Sequence, residues 1–215
     1  MHPTNVVDGL IFYIGLVVLL TFHEFAHAWV AYLCGDDTAR LRGRMSLNPI
    51  VHIDPIGTVL FPLLMIFSPV GGWLIGWAKP VPVNPTNLRN PVRDDILIAL
   101  AGPAMNLVLA VVLVGLARIV SIFAPWDTTA VILNIAALSL LLCFFNLIPI
   151  PPLDGSHVLR NFIGMSWETY WHLCRYGIIG VWLVLRIPFV SHVLNEVTYR
   201  ALGFLTTCFG FPPLM

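Results

Sequence analysis

The sequence predicts an all-α protein, a polytopic transmembrane bundle of about five to six membrane segments. Three observations carry that prediction. Only 10% of the 215 residues are charged and 58% are hydrophobic, where soluble domains run at about 25% charged. Mean hydropathy is +0.87. Apolar runs long enough to cross a bilayer as helices recur along the chain, and the polar stretches between them hold most of the Lys and Arg. The zero net charge gives no case for a nucleic-acid partner. One integral-membrane domain is expected over 1–215, with a core over about 6–160 and a C-terminal helical hairpin over about 165–212.

The first element is the apolar run Val6–Leu33. From Gly9 onward it has no Asp, Lys or Arg, and its strongly polar residues are His23, Glu24 and His27. Ionisable groups at membrane depth cost about 2.5–3.5 kcal/mol each on insertion scales, so they mark function by default. The text reads Thr21-Phe22-His23-Glu24-Phe25-Ala26-His27, an H-E-x-x-H pattern. On a helix His23 and His27 are i and i+4 on one face. Two imidazoles can then share one metal, with Glu24 beside them to handle its water. The bland alternative, three polar residues bonding between helices, fits poorly with their burial cost. No basic n-region or small-residue cleavage site accompanies this run, so a cleaved leader is not expected.

The second segment, Ile56–Ala78, departs from a plain span. Pro62, Pro69 and Gly71-Gly72 interrupt it, and Lys79-Pro80-Val81-Pro82-Val83-Asn84-Pro85 follows. That density of Pro and Gly breaks helices. Trp73–Ala78 suits a strand or hairpin, which lipid does not tolerate unless protein covers it. Broken backbone around Gly71–Val83 could add an edge strand to an extended peptide. A re-entrant or β-hairpin-like piece is therefore expected between the first and second core helices.

Ile96–Phe123 and Thr129–Ile150 are firm helical spans, and Tyr170–Ile187 and Val190–Phe209 form the softer C-terminal pair. Charge placement orients them. Arg40, Arg42 and Arg44 follow the first span, Lys79, Arg89 and Arg93 precede the Ile96 span, and Arg160 follows the Thr129 span. The positive-inside rule puts these loops in the cytoplasm and the N-terminus outside. Arg118 and Arg186 fall near the outer ends and run against that scheme. The scheme requires Ile56–Ala78 to enter and leave on one side.

A catalytic zinc needs three protein ligands and an open position. The best source of the third is Asn146-Leu-Ile-Pro149-Ile-Pro151-Pro152-Leu153-Asp154-Gly155. Three prolines make the backbone leave the helix, Asp154 offers a carboxylate, and Gly155 allows a tight turn. The bland reading of Asp154 is a cap or turn residue after the prolines. Asn146, about two turns upstream, could donate into the same cavity or serve as interhelical glue. Parity brings Asp154 to the side of His27 only if Ile56–Ala78 does not cross.

Other polar residues read more modestly. Asn106 follows a Gly-Pro break and suits backbone stabilisation. His52, beside Asp54, suits a loop-fixing hydrogen bond, and His157 the start of the helix after Asp154. Trp126, Trp167 and Trp171 read as interface anchors. The four cysteines, Cys34, Cys143, Cys174 and Cys208, lie far apart and read as small apolar residues.

These motifs together resemble the site-2 protease family of intramembrane zinc metalloproteases, peptidase family M50. The resemblance rests on His23-Glu24-Phe25-Ala26-His27, Ala101-Gly102-Pro103-Ala104-Met105-Asn106 and Asn146…Pro151-Pro152-Leu153-Asp154-Gly155. It covers roughly His23 to Gly155. The stretches Arg44–Gly57 and Gly76–Pro85 resemble the compact bacterial and archaeal branch, without PDZ or CBS domain. The resemblance implies one Zn2+ held by His23, His27 and Asp154, with Glu24 as general base and Asn146 assisting the scissile carbonyl. It implies a transmembrane protein substrate cut near the cytoplasmic side, in the cell membrane of a prokaryote. The rival class is a metal-binding transporter or non-catalytic scaffold. Transport would favour ionisable residues strung along a path, whereas here they cluster at one depth.

Overall fold

The computed structural model describes residues 6–67 and 76–212, and every regular element among them is helical. The chain falls into two compact units, Met1–Arg89 and Asn90–Met215.

The first unit is built on α1, Val6–Leu33, a 28-residue helix with Asp8 in its first turn, where a carboxylate suits the helix dipole. At 1.5 Å per residue it is about 42 Å long, ample for a bilayer core of about 30 Å. A short helix α2 (Thr38–Leu41) follows. Asp54 then starts a π-helical turn, Pro55–Leu60, by accepting from the N–H groups of Ile56 and Gly57. This turn runs into α3, Phe61–Phe67. The two pieces, six and seven residues long, rise about 20 Å together, too short to span.

The chain then comes back to where it left. Lys79 N–H donates to His52 O at 2.9 Å, Trp77 N–H to Gly57 O at 3.2 Å, and Thr58 Oγ1 to Trp77 O at 2.7 Å. A Cβ on Gly57 would run into the Trp77 indole, so glycine there lets the returning chain close in. These contacts agree with a segment that enters and leaves at one end. Residues 73–75 of the hairpin expected over Trp73–Ala78 lie outside the described residues. From Gly76 to Asn84 the chain has no regular secondary structure, because Pro80 and Pro82 supply no N–H to a ladder.

The second unit opens with α4, Pro91–Val120. Asn90 caps it by accepting from Arg93 N–H at 3.2 Å, and Asp94 accepts from Asn90 N–H at 2.7 Å. Proline at the first helical position suits a helix start. Helix α5, Trp126–Asn146, packs along α4. Their seam is made of small residues, Ala110, Val114 and Ala117 against Ala136 and Ala137, closed by Leu133, Leu140, Leu202 and Phe211. Small side chains let helix backbones approach where lipid supplies no hydrophobic drive for association. Ser139 Oγ donates to Asn106 O across this seam at 2.7 Å.

A turn region leads to α6 (Gly155–Phe162), then α7 (Trp167–Leu185) and α8 (Pro188–Cys208). Ser166 caps α7 through Thr169 N–H. Between Ile179–Leu185 and α8 the chain bends by 79°. The pair thus makes a corner where the sequence suggests a hairpin, since Pro188 starts a new helix immediately after the Arg186–Ile187 break. Helices α1, α4 and α5 are each long and apolar enough to cross a membrane.

Candidate active site

Helix periodicity places His23 and His27 one turn apart on α1, and both are buried, as is Glu24. The two Nε2 atoms lie 3.0 Å apart, with the rings edge to face. Two imidazole nitrogens on one tetrahedral zinc, each about 2.0–2.1 Å from it, stand roughly 3.3 Å apart. The pair therefore fits a shared metal with little adjustment. The spacing would also allow an imidazole–imidazole hydrogen bond, but such a bond gives no reason for a carboxylate beside it in an apolar helix.

Glu24 is held from the returning segment. Val81 N–H donates to its Oε2 at 2.9 Å. In Pro80-Val81-Pro82 this is the one backbone N–H available, and it goes to the carboxylate. The segment is fixed on both sides of that contact. Arg44 Nη2 donates to the carbonyls of Lys79 and Pro80. Asp36 accepts from Asn84 N–H at 2.7 Å, Asn87 Nδ2 at 2.9 Å and Thr38 N–H at 3.1 Å. Burial pushes the Asp36 carboxyl up, but hydrogen bonds from Thr38, Asn84 and Asn87 outweigh it and hold the group below its usual value. Sequence reasoning missed Val81, Asp36 and Arg44. The alternation of proline with valine was a signal for Val81, since it isolates a single donor.

In the second unit Asn146 is the last residue of α5, half-buried, with Nδ2 donating to Leu142 O at 2.9 Å. An amide nitrogen carries two hydrogens, so this bond commits one of them. Beyond it the backbone folds through consecutive tight turns. Ile150 N–H reaches Ile148 O at 2.8 Å, Leu153 N–H reaches Ile150 O at 2.9 Å, and His157 N–H reaches Asp154 O at 3.0 Å. Asp154 occupies the cap position of α6 with helical dihedrals, yet its side chain makes no capping hydrogen bond. The side chain thus does not cap the helix, although the residue itself lies in the turn that begins it. Gly155 explains itself: a Cβ there would collide with the Leu147 carbonyl and crowd that of Ile148.

His52 and His157 take the modest roles. His52 is buried, with Nε2 at 2.8 Å from Ser46 O, a loop-fixing bond. His157 Nδ1 pairs with Asp95 Oδ1 at 3.0 Å. Asn106 is fully buried beside the helix-internal Pro103.

Comparison with known proteins bears on all of this. The family model described as "Peptidase family M50" matches residues 11–124 and 115–171. The chain is 37% identical over 202 residues to "Putative zinc metalloprotease YwhC" of Bacillus subtilis (strain 168), covering 90% of this chain and 87% of that one. It is 33% identical over 208 residues to "Putative zinc metalloprotease Rip2" of Mycolicibacterium smegmatis, covering 93% and 76%. No solved structure matches the chain. The H-E-x-x-H helix, three helices of membrane-spanning length and these matches agree, and the chain is an integral membrane protein that belongs to peptidase family M50.

Proposed function

We propose that this chain is a zinc-dependent intramembrane endopeptidase that hydrolyses a peptide bond in or near a transmembrane segment of a membrane protein. The observation that carries the reading is the buried His23–His27 pair, Nε2 to Nε2 at 3.0 Å, next to Glu24 in an apolar 28-residue helix. The names of its bacterial relatives support zinc and proteolysis. The whole chain acts as one protease domain.

His23, His27 and Asp154 are the proposed ligands of one zinc. Once bound, zinc supplies a Lewis acid that polarises the scissile carbonyl and acidifies water. Glu24 removes the proton from the attacking water and delivers one to the leaving amine. Because Val81 N–H holds Oε2, Oε1 is the oxygen that carries the proton. Asn146 turns its second Nδ2 hydrogen toward the developing oxyanion. A transmembrane helix hides its peptide bonds in i to i+4 pairing, so the substrate unwinds locally before attack.

The site faces the cytoplasmic side of a prokaryotic cell membrane. Arg40, Arg42, Arg44, Lys79 and Arg89 all lie in segments that follow α1. Arg44 bonds the Lys79 carbonyl and Arg89 N–H donates to Cys34 O, so these basic loops gather at one end of that helix. Basic loops stay on the cytoplasmic side.

The test is cleavage of a transmembrane peptide by the purified chain in detergent or liposomes. Wild type should cut it with one zinc per chain, and zinc removal should stop cleavage until zinc is restored. Absence of cleavage together with zinc movement across liposomes would reject the reading for transport.

A further inference from the structure

Asp95 lies one turn into α4 and is 4% exposed. The helix start does not need it, because Asn90 and Asp94 already satisfy that end. Its two oxygens are taken up by α6 instead. Oδ1 meets His157 Nδ1 at 3.0 Å, and Oδ2 accepts from Arg160 Nη2 at 3.0 Å and from Asn161 Nδ2. His157, Arg160 and Asn161 stand at i, i+3 and i+4, one face of the helix. The other contacts of this face support the same arrangement. The Arg160 guanidinium lies 3.7 Å from the Trp167 ring centre and donates to Asn161 Oδ1 at 2.8 Å, while the His157 ring packs on Tyr170.

Helix α6 has eight residues, too few to be stable alone, so its rotation is set by what grips it. Asp154 belongs to its first turn, since His157 N–H donates to Asp154 O at 3.0 Å. Turning α6 about its axis swings the Asp154 carboxylate with it. We propose that Asp95 is a positioning residue: by gripping one face of α6 it holds the rotation at which Asp154 can ligate zinc. This rests on the reading of Asp154 as a ligand. Groups that orient metal ligands typically change metal affinity about 10–100-fold when removed.

The experiment measures zinc affinity of the full chain in detergent by competition with a chromophoric chelator, which needs no substrate. Asp95→Asn should weaken zinc binding about 10–100-fold, and Asn161→Ala, which removes one of the three donors, should weaken it less. Asp94→Asn, altering the neighbouring buried carboxylate that bonds the helix start, should bind zinc as wild type does. Wild-type affinity in Asp95→Asn, or equal losses in Asp94→Asn and Asp95→Asn, would overturn the proposal. Should Asp95→Asn fail to fold, Asn161→Ala decides, and wild-type affinity there overturns it. Asp154→Ala is measured alongside. If it binds zinc as tightly as wild type, the ligand reading itself fails, and the proposal with it. If it loses zinc while Asp95→Asn does not, the proposal alone fails.

Discussion

Val81 donates its backbone N–H to Oε2 of Glu24 at 2.9 Å, across 57 residues of sequence. A backbone donor cannot rotate away as a side chain can, so the proposed base is held in one orientation by a segment that is itself tied down at Lys79 and Asn84. Hydrogen bonds to charged groups contribute about 1.5–3 kcal/mol.

Replacing Val81 by proline deletes that donor from a stretch already flanked by prolines. Val81→Pro should lower peptide cleavage by about tenfold or more with zinc content unchanged. Val81→Ala, which keeps the N–H, should cleave at near wild-type rate. The readouts are a cleavage time course and metal analysis of the same preparations.

Glu24→Gln keeps the shape and loses the proton carrier. Cleavage should fall by about 10²–10⁴-fold, the usual contribution of a general base, while zinc stays bound. Full hydrolysis by this variant would remove Glu24 from the chemistry.

Gly155→Ala places a methyl group against the Leu147 carbonyl. The turn that carries Asp154 must then shift, at a cost of about 1–3 kcal/mol as for other overpacked sites. Thermal unfolding should begin at lower temperature and zinc should dissociate faster than from wild type.

The Asp36 carboxyl, held below its usual value of 3.8, makes the first unit sensitive to acid. A depressed folded-state pKa adds stability above the unfolded value, and that stability is lost as pH falls through the folded one. Hydrogen exchange of residues 76–90 should therefore be slow at neutral pH and accelerate below about pH 4. Asp36→Asn should exchange fast at neutral pH and show a weaker acid response.

Ala110 is fully buried in the α4–α5 seam. Ala110→Leu should destabilise the second unit by about 1–3 kcal/mol through overpacking, whereas a leucine at the exposed Val112 should leave the melting temperature unchanged.

Much of the molecule was legible in the chain. Composition and run length gave three long helices, and the prolines and glycines of Ile56–Ala78 announced a segment that does not cross. The i, i+4 spacing of His23 and His27 needed no tertiary structure to put both rings on one face, because helix geometry alone does that. The loop-fixing hydrogen bond of His52 and the place of His157 at the start of the helix after Asp154 were also readable, though their partners, Ser46 O and Asp95, were not.

The corner between α7 and α8, the donor from Val81 to Glu24, and the grip of Asp95 on α6 were not legible. Sequence patterns report periodicity along one element, and these features depend on which atoms distant elements bring within 3 Å of each other. Neither Asp95 nor Val81 carries a motif or a spacing that points to its partner. The sequence by itself determined a helical membrane protein with a two-histidine, one-glutamate motif. Tertiary structure decided how Glu24 and α6 are held, because hydrogen bonds act over a few ångströms in space regardless of separation along the chain.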